Sequence, residues 1–137
     1  MEQIARYKFS ILISLAIIVL STIPIPEVKP LEDVPFFDKW VHFVMYGALS
    51  FAMWLDANHY RLPLGLKLSR LSCRFYLAMV IIPSALGGLM ELVQAYLTTV
   101  RSGDFIDFLA DIIGAVIGTV VCYIIQLIWQ QKASVQK

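Results

Sequence analysis

Four apolar runs, Phe9–Ile23, Trp40–Leu55, Phe75–Leu97 and Phe105–Trp129, decide what this chain of 137 residues can become. As helices, the two later runs exceed a membrane hydrocarbon core of roughly 30 Å at about 1.5 Å rise per residue. The two earlier runs reach that span only if flanking residues extend them. A soluble domain could bury one such run, but this chain is 59% hydrophobic and only 15% charged. Soluble domains are typically about half apolar and a quarter charged. The pattern predicts an all-α polytopic membrane protein: one domain over residues 1–137, a four-transmembrane-helix bundle with short loops. Arg6 and Lys8 give the first run a basic start, as in a signal peptide. The following "STIPIPEVKP" lacks a small-residue cleavage site, so the run reads as a retained helix stopped by Pro24, Pro26 and Pro30. Cys73 and Cys122 are isolated thiols, with neither metal spacing nor a case for a disulfide.

Lysine and arginine set the expected orientation. Arg6 and Lys8, the loop residues Arg61, Lys67, Arg70 and Arg74, and the tail residues Lys132 and Lys137 fall on one side. Lys29, Lys39 and Arg101 fall on the other. The expectation is a membrane protein with both termini in the cytoplasm. The Pro-rich first loop and the "TTVRSGD" turn then face outward.

The outward ends of the helices hold the informative polar residues. Asp38, His42 and Tyr46 are spaced i, i+4, i+8 and share one helix face. Glu91 and Gln94 are i, i+3 neighbours near the end of the third helix, with Gly87 on the same stripe. Asp104, Asp107 and Asp111 open the fourth helix on one face, continued by Gly114 and Gly118, and Arg101 lies in the preceding turn. These groups reach similar depths, and a charged side chain facing lipid costs several kcal/mol (about 2.5–3.5 at a helix centre). They are expected to face one another in a polar pocket open to the outside.

Each feature also has a plainer reading. Asp104 can be a helix cap, Glu91 an ion-pair partner of Arg101 or Lys39, and His42 a hydrogen-bonding strut. Tyr46 can be core, and "GAVIG" a helix-packing stripe. Trp40, Trp54 and Trp129 read as interfacial anchors, and His59 as a solvated loop residue.

"DKWVHFVMYGALS" followed by "MELVQAYLTTVRSGDFIDFLADIIGAVIG" resembles the VanZ-like family of small bacterial membrane proteins. The matching positions are Asp38, Lys39, His42 and Tyr46, then Glu91, Gln94, Arg101, Asp107, Asp111 and Gly114, over about residues 36–120. Many members carry Asn where this chain has Asp111. The resemblance implies a link to resistance against the glycopeptide antibiotic teicoplanin, and supplies a set of site residues rather than a reaction.

Three activities compete. The first is hydrolysis or group transfer on a lipid-linked or cell-envelope substrate. His42 would be general base or metal ligand, oriented by Asp38, with Glu91 and Asp107 as acid/base partners or ligands of a divalent cation. Lys39 and Arg101 would neutralise a phosphate or carboxylate, and Tyr46, Gln94 and Asp111 would complete the binding surface. Carboxylate oxygens would suit Mg, Ca or Mn. Ser50 and Ser102 lack a nucleophile elbow. The second activity is binding of a lipid headgroup or glycopeptide without turnover. The third is transport, disfavoured because the helix interiors toward the cytoplasm show no matching polar path and four short helices would need to oligomerise. Membrane lipids are the expected surroundings. Nucleic acid is not an expected partner, because the chain has neither a Gly-rich phosphate loop nor a basic stripe.

Overall fold

The computed structural model describes residues 6–23, 35–61, 71–97 and 103–135. The Pro-rich segment, most of the basic segment between the second and third helices, and the turn residues Arg101 and Ser102 lie outside the described residues. The chain forms four helices: α1 Lys8–Thr22, α2 Phe37–Arg61, α3 Cys73–Leu97 and α4 Phe105–Val135. No strand occurs among the described residues.

Two of the four helices, α3 and α4, are long and apolar enough to cross a membrane. In each, only 28% of the most apolar 18-residue window is buried, whereas a soluble core helix would be covered. Ile81, Leu92, Ile117 and Ile124 are among the apolar side chains left exposed. Such a continuous apolar exterior is not a surface that a monomer presents to water. The other two do not pass by length and composition, so the expected four-transmembrane bundle is met in two of its helices. At 15 residues, α1 is about 22 Å long and falls short of the hydrocarbon core. At 25 residues α2 has the length, but Asp38, Lys39, His42, Asp56, Asn58 and His59 dilute its apolar character.

The α2–α4 contact is the most extensive in the bundle. It depends on glycine. A Cβ on Gly118 would stand 2.7 Å from the Gly47 carbonyl oxygen, and one on Gly114 would run into the carbonyl of Phe43. The two backbones therefore meet where "GAVIG" crosses the middle of α2, as a small-residue stripe allows.

Pro83 lies inside α3 and is buried. Its missing N–H would leave the Met79 carbonyl, one turn earlier, without a helical partner. The buried Ser50 hydroxyl of α2 donates to that carbonyl at 2.8 Å. Ser50 is thus occupied in repairing α3. Ser50→Ala should cost about 1–3 kcal/mol, the penalty for orphaning a buried carbonyl. Thermal unfolding in detergent reads this as a lowered midpoint, and an unchanged midpoint would refute the role.

The end of the bundle away from the acidic face is more polar inside than expected. Asp56 is buried and caps α1, accepting from the Phe9 and Ser10 N–H groups at 3.2 and 2.8 Å and from the Ser10 hydroxyl at 2.6 Å. Trp54 is not an interfacial anchor. It is buried, its indole N–H donates to Gln126 Oε1 at 3.0 Å, and its ring packs 5.3 Å from that of Trp129. Trp40 is 60% exposed, as an anchor would be. His59 belongs to α2 rather than to a loop, and its Nε2 lies 3.3 Å from Lys8 Nζ. Ser50, Thr119, Gln126, Asp56 and Asn58 are all buried in this half, more polar side chains than the expectation of no matching polar path allowed for.

Candidate functional site

The starts of α2 and α4 and the end of α3 meet at one end of the bundle, where helix termini would otherwise leave backbone groups unpaired. Asp104 caps α4 through Oδ1, which accepts from the Ile106 N–H at 2.9 Å. The Asp104 N–H itself donates to Glu91 Oε2 of α3 at 2.7 Å. One acidic residue thus starts α4 and links it to α3. The neighbouring Lys39 ammonium, followed by the Ile106 N–H, holds the Asp104 carboxyl below the usual carboxylate range.

Lys39 of α2 is the hub of the rim. Its Nζ lies 2.6 Å from Asp38, 2.7 Å from Asp104 Oδ2 and 2.7 Å from Asp107 Oδ1. Two of its three N–H donors make hydrogen bonds, to Asp38 and Asp104, and Asp107 adds an ion pair. An incoming phosphate would compete with three carboxylates for Lys39. Asp38, 61% exposed in its side chain, pairs with Lys39 next to it.

One turn deeper, the setting changes. His42, Glu91, Asp111 and Tyr46 are all at least nine-tenths buried. His42 Nδ1 lies 2.9 Å from Asp111 Oδ1 and 3.9 Å from Glu91 Oε1. With Asp111 ionised, Nδ1 carries the proton and donates it. The residue that orients His42 is therefore Asp111 from α4, not Asp38 from its own helix. Gly87 makes this fit: a Cβ there would stand 2.5 Å from Asp111 Oδ2. The Tyr46 ring lies nearly parallel to the imidazole, with centroids 6.3 Å apart and planes at 18°. Three buried oxygens around His42 have no hydrogen-bond partner: Glu91 Oε1, Asp111 Oδ2 and the Tyr46 hydroxyl.

The arrangement has two tiers, a rim of Asp38, Lys39, Asp104 and Asp107 and an inner group of His42, Tyr46, Glu91 and Asp111. Glu91 joins them through the Asp104 N–H. Gln94, next to Glu91 along the stripe, donates to the Ser21 carbonyl of α1 at 3.0 Å and ties α3 to α1. Arg101 lies outside the described residues. Among the described side chains, five carboxylates stand against one lysine and one histidine, a balance that favours a cation over an anion.

Ser102 lies outside the described residues, and the three other nucleophile candidates are placed elsewhere. The Ser50 hydroxyl is engaged with α3, and Cys73 and Cys122 belong to the far half of the bundle. A groove of about 470 Å³ at that far end is lined by Leu71, Cys73, Tyr76, Thr119, Tyr123 and Gln126, among others, and shares no residue with the two tiers.

Sequence reasoning identified the inner residues through their helical spacing but missed Asp56, whose burial opposite the α1 N-terminus is a pairing between distant segments. An aspartate inside an apolar helix was the available signal.

No curated protein and no solved structure matches the chain. A family model described as VanZ/LLP1 matches residues 2–126, a wider stretch than the motifs cover and one that includes α1. With nearly the whole chain matched and α3 and α4 apolar enough to span a bilayer, this is a membrane protein belonging to the VanZ/LLP1 family.

Proposed function

We propose that this chain crosses the bacterial cytoplasmic membrane four times, with both termini in the cytoplasm, and that its acidic end forms an outward-facing ligand site. The site would take a lipid-linked or cell-envelope substrate and support its hydrolysis or group transfer. The observation that carries this reading is the trio of buried, unpartnered oxygens of Glu91, Asp111 and Tyr46 around His42. Buried polar groups are normally satisfied, and ionisable groups inside a membrane protein mark sites by default. Because the described serine and cysteine side chains do not reach this group, water is the incoming nucleophile in this reading. A site with no serine or cysteine among its described residues also suits a second reading, in which it binds an envelope ligand or glycopeptide without turnover.

The cellular readout drawn from the family resemblance is tolerance of a glycopeptide such as teicoplanin. His42→Gln and Glu91→Gln, matched to the parent chain in membrane abundance, should lose most of that tolerance. Full tolerance in both would make the inner group a scaffold. Orientation has its own test. In a chain with Cys73 and Cys122 replaced, a cysteine at Glu32 should react with an impermeant thiol reagent on intact cells, and one at Ser69 should not. The opposite labelling would turn the site toward the cytoplasm.

A further inference from the structure

We propose that His42, Glu91 and Asp111 bind one divalent first-row cation, Mn2+ or Zn2+. The inference rests on reading these side chains as a site, and it chooses metal ligand over general base for His42. One ligand atom from each of the three residues lies within 4.8 Å of the others. Ligands about 2.0–2.2 Å from a common ion stand at most about twice that distance apart, so small side-chain rotations close the set. Three helices supply the three donors, His42 from α2, Glu91 from α3 and Asp111 from α4, and Gly87 leaves the Asp111 carboxylate room to turn.

An independent observation points to a ligand. Glu91 Oε1 and Asp111 Oδ2 are buried without a hydrogen-bond partner, and the Tyr46 hydroxyl is buried in the same condition. Structural carboxylates in a dry interior would be expected to bond through both oxygens. Each of these uses only one: Glu91 Oε2 on the Asp104 N–H and Asp111 Oδ1 on His42 Nδ1. The remaining oxygens are the ones a cation would take.

Charge gives the same answer. Two ionised carboxylates and a neutral imidazole carry two negative charges, which one divalent ion balances. The nearest described cation, Lys39, is already shared among Asp38, Asp104 and Asp107. A mixed set of one nitrogen and two oxygens suits Mn2+ and Zn2+ better than Ca2+, which takes oxygen ligands, or a thiolate-seeking ion. The ion would replace the proton on Nδ1 and leave Nε2 protonated, so that binding releases a proton. It would also place positive charge in a pocket that otherwise repels a phosphate or carboxylate.

The test uses the full chain, purified in detergent, stripped with a chelator and checked for helical content. Manganese chloride is titrated in, with free Mn2+ followed by its electron paramagnetic resonance signal, and zinc chloride is then added as competitor. The expected result is one Mn2+ per chain, displaced by Zn2+, with a nitrogen coupling in the bound spectrum. His42→Gln should remove the nitrogen coupling. Glu91→Gln and Asp111→Asn should weaken binding by at least about tenfold, on the scale of damage to a metal's ligand set. Cys73→Ser, at the far end of the bundle, should bind as the parent does. A helical parent chain that takes up neither ion at about a millimolar would overturn the proposal, as would a nitrogen coupling that survives His42→Gln. If no ion binds but His42→Gln and Glu91→Gln still abolish glycopeptide tolerance, the metal is wrong and the site stands. If the ion binds as stated and tolerance is untouched, the metal stands and the functional reading falls.

Discussion

Gly114→Val will force α2 and α4 apart and remove most of the folded chain from the membrane. Even the first carbon of the new side chain would occupy the position of the Phe43 carbonyl. A crowded side chain can change rotamer, but this neighbour is helix backbone, which moves only if the whole of α2 shifts. Overpacking against side chains costs typically about 1–3 kcal/mol, and a backbone obstacle should exceed that range. A domain's total stability is only about 5–15 kcal/mol. Gly88→Ala is the informative comparison, because its Cβ would meet only the Phe108 ring, at 3.2 Å. That variant should accumulate normally and unfold within a few degrees of the parent. Equal midpoints for Gly114→Val and the parent would mean that α2 and α4 do not cross here.

Asp111→Leu carries the second large effect. It leaves the buried His42 Nδ1–H without its acceptor, and breaking a buried charged pair from one side typically costs about 3–5 kcal/mol. Asp111→Asn should cost less, since the amide oxygen still accepts from Nδ1. It also places in this chain the residue that many members of the family carry. Replacing both partners, His42→Leu with Asp111→Leu, removes both unpaired groups together. The double variant should be more stable than the two single losses added together would predict. Thermal unfolding of the four chains supplies the cycle, and strictly additive losses would show that the two side chains are not partners.

These expectations also mark what the sequence could show. Helix number and approximate extent follow from apolar runs, which are local. The segregation of Asp38, His42, Glu91 and Asp111 toward one end follows from helical spacing and a common depth, which are nearly local. Partner choice does not follow. Spacing on α2 favours Asp38 as the residue beside His42, but Asp38 turns outward to Lys39 and the contact comes from Asp111, 69 residues away along the chain. The Ser50 hydroxyl that repairs α3 at Pro83 is invisible for the same reason. So is Asp56, whose carboxylate caps a helix that begins 48 residues earlier. Trp54 was misplaced because aromatic residues near the end of an apolar run look alike until the packing shows which side they face. In each case the missing information is which helix faces which, and a single helix's periodicity does not contain it.

The central claim is that the inner polar group is a ligand site rather than an internal brace. It is tested most directly by placing the parent chain and Glu91→Gln, both shown to be folded, in lipid nanodiscs and incubating them with extracted envelope lipids. Mass spectrometry then compares what each chain retains or converts. At least one lipid-linked species should be enriched on or altered by the parent chain and not by Glu91→Gln. Identical retention and identical products from the two folded chains would contradict it.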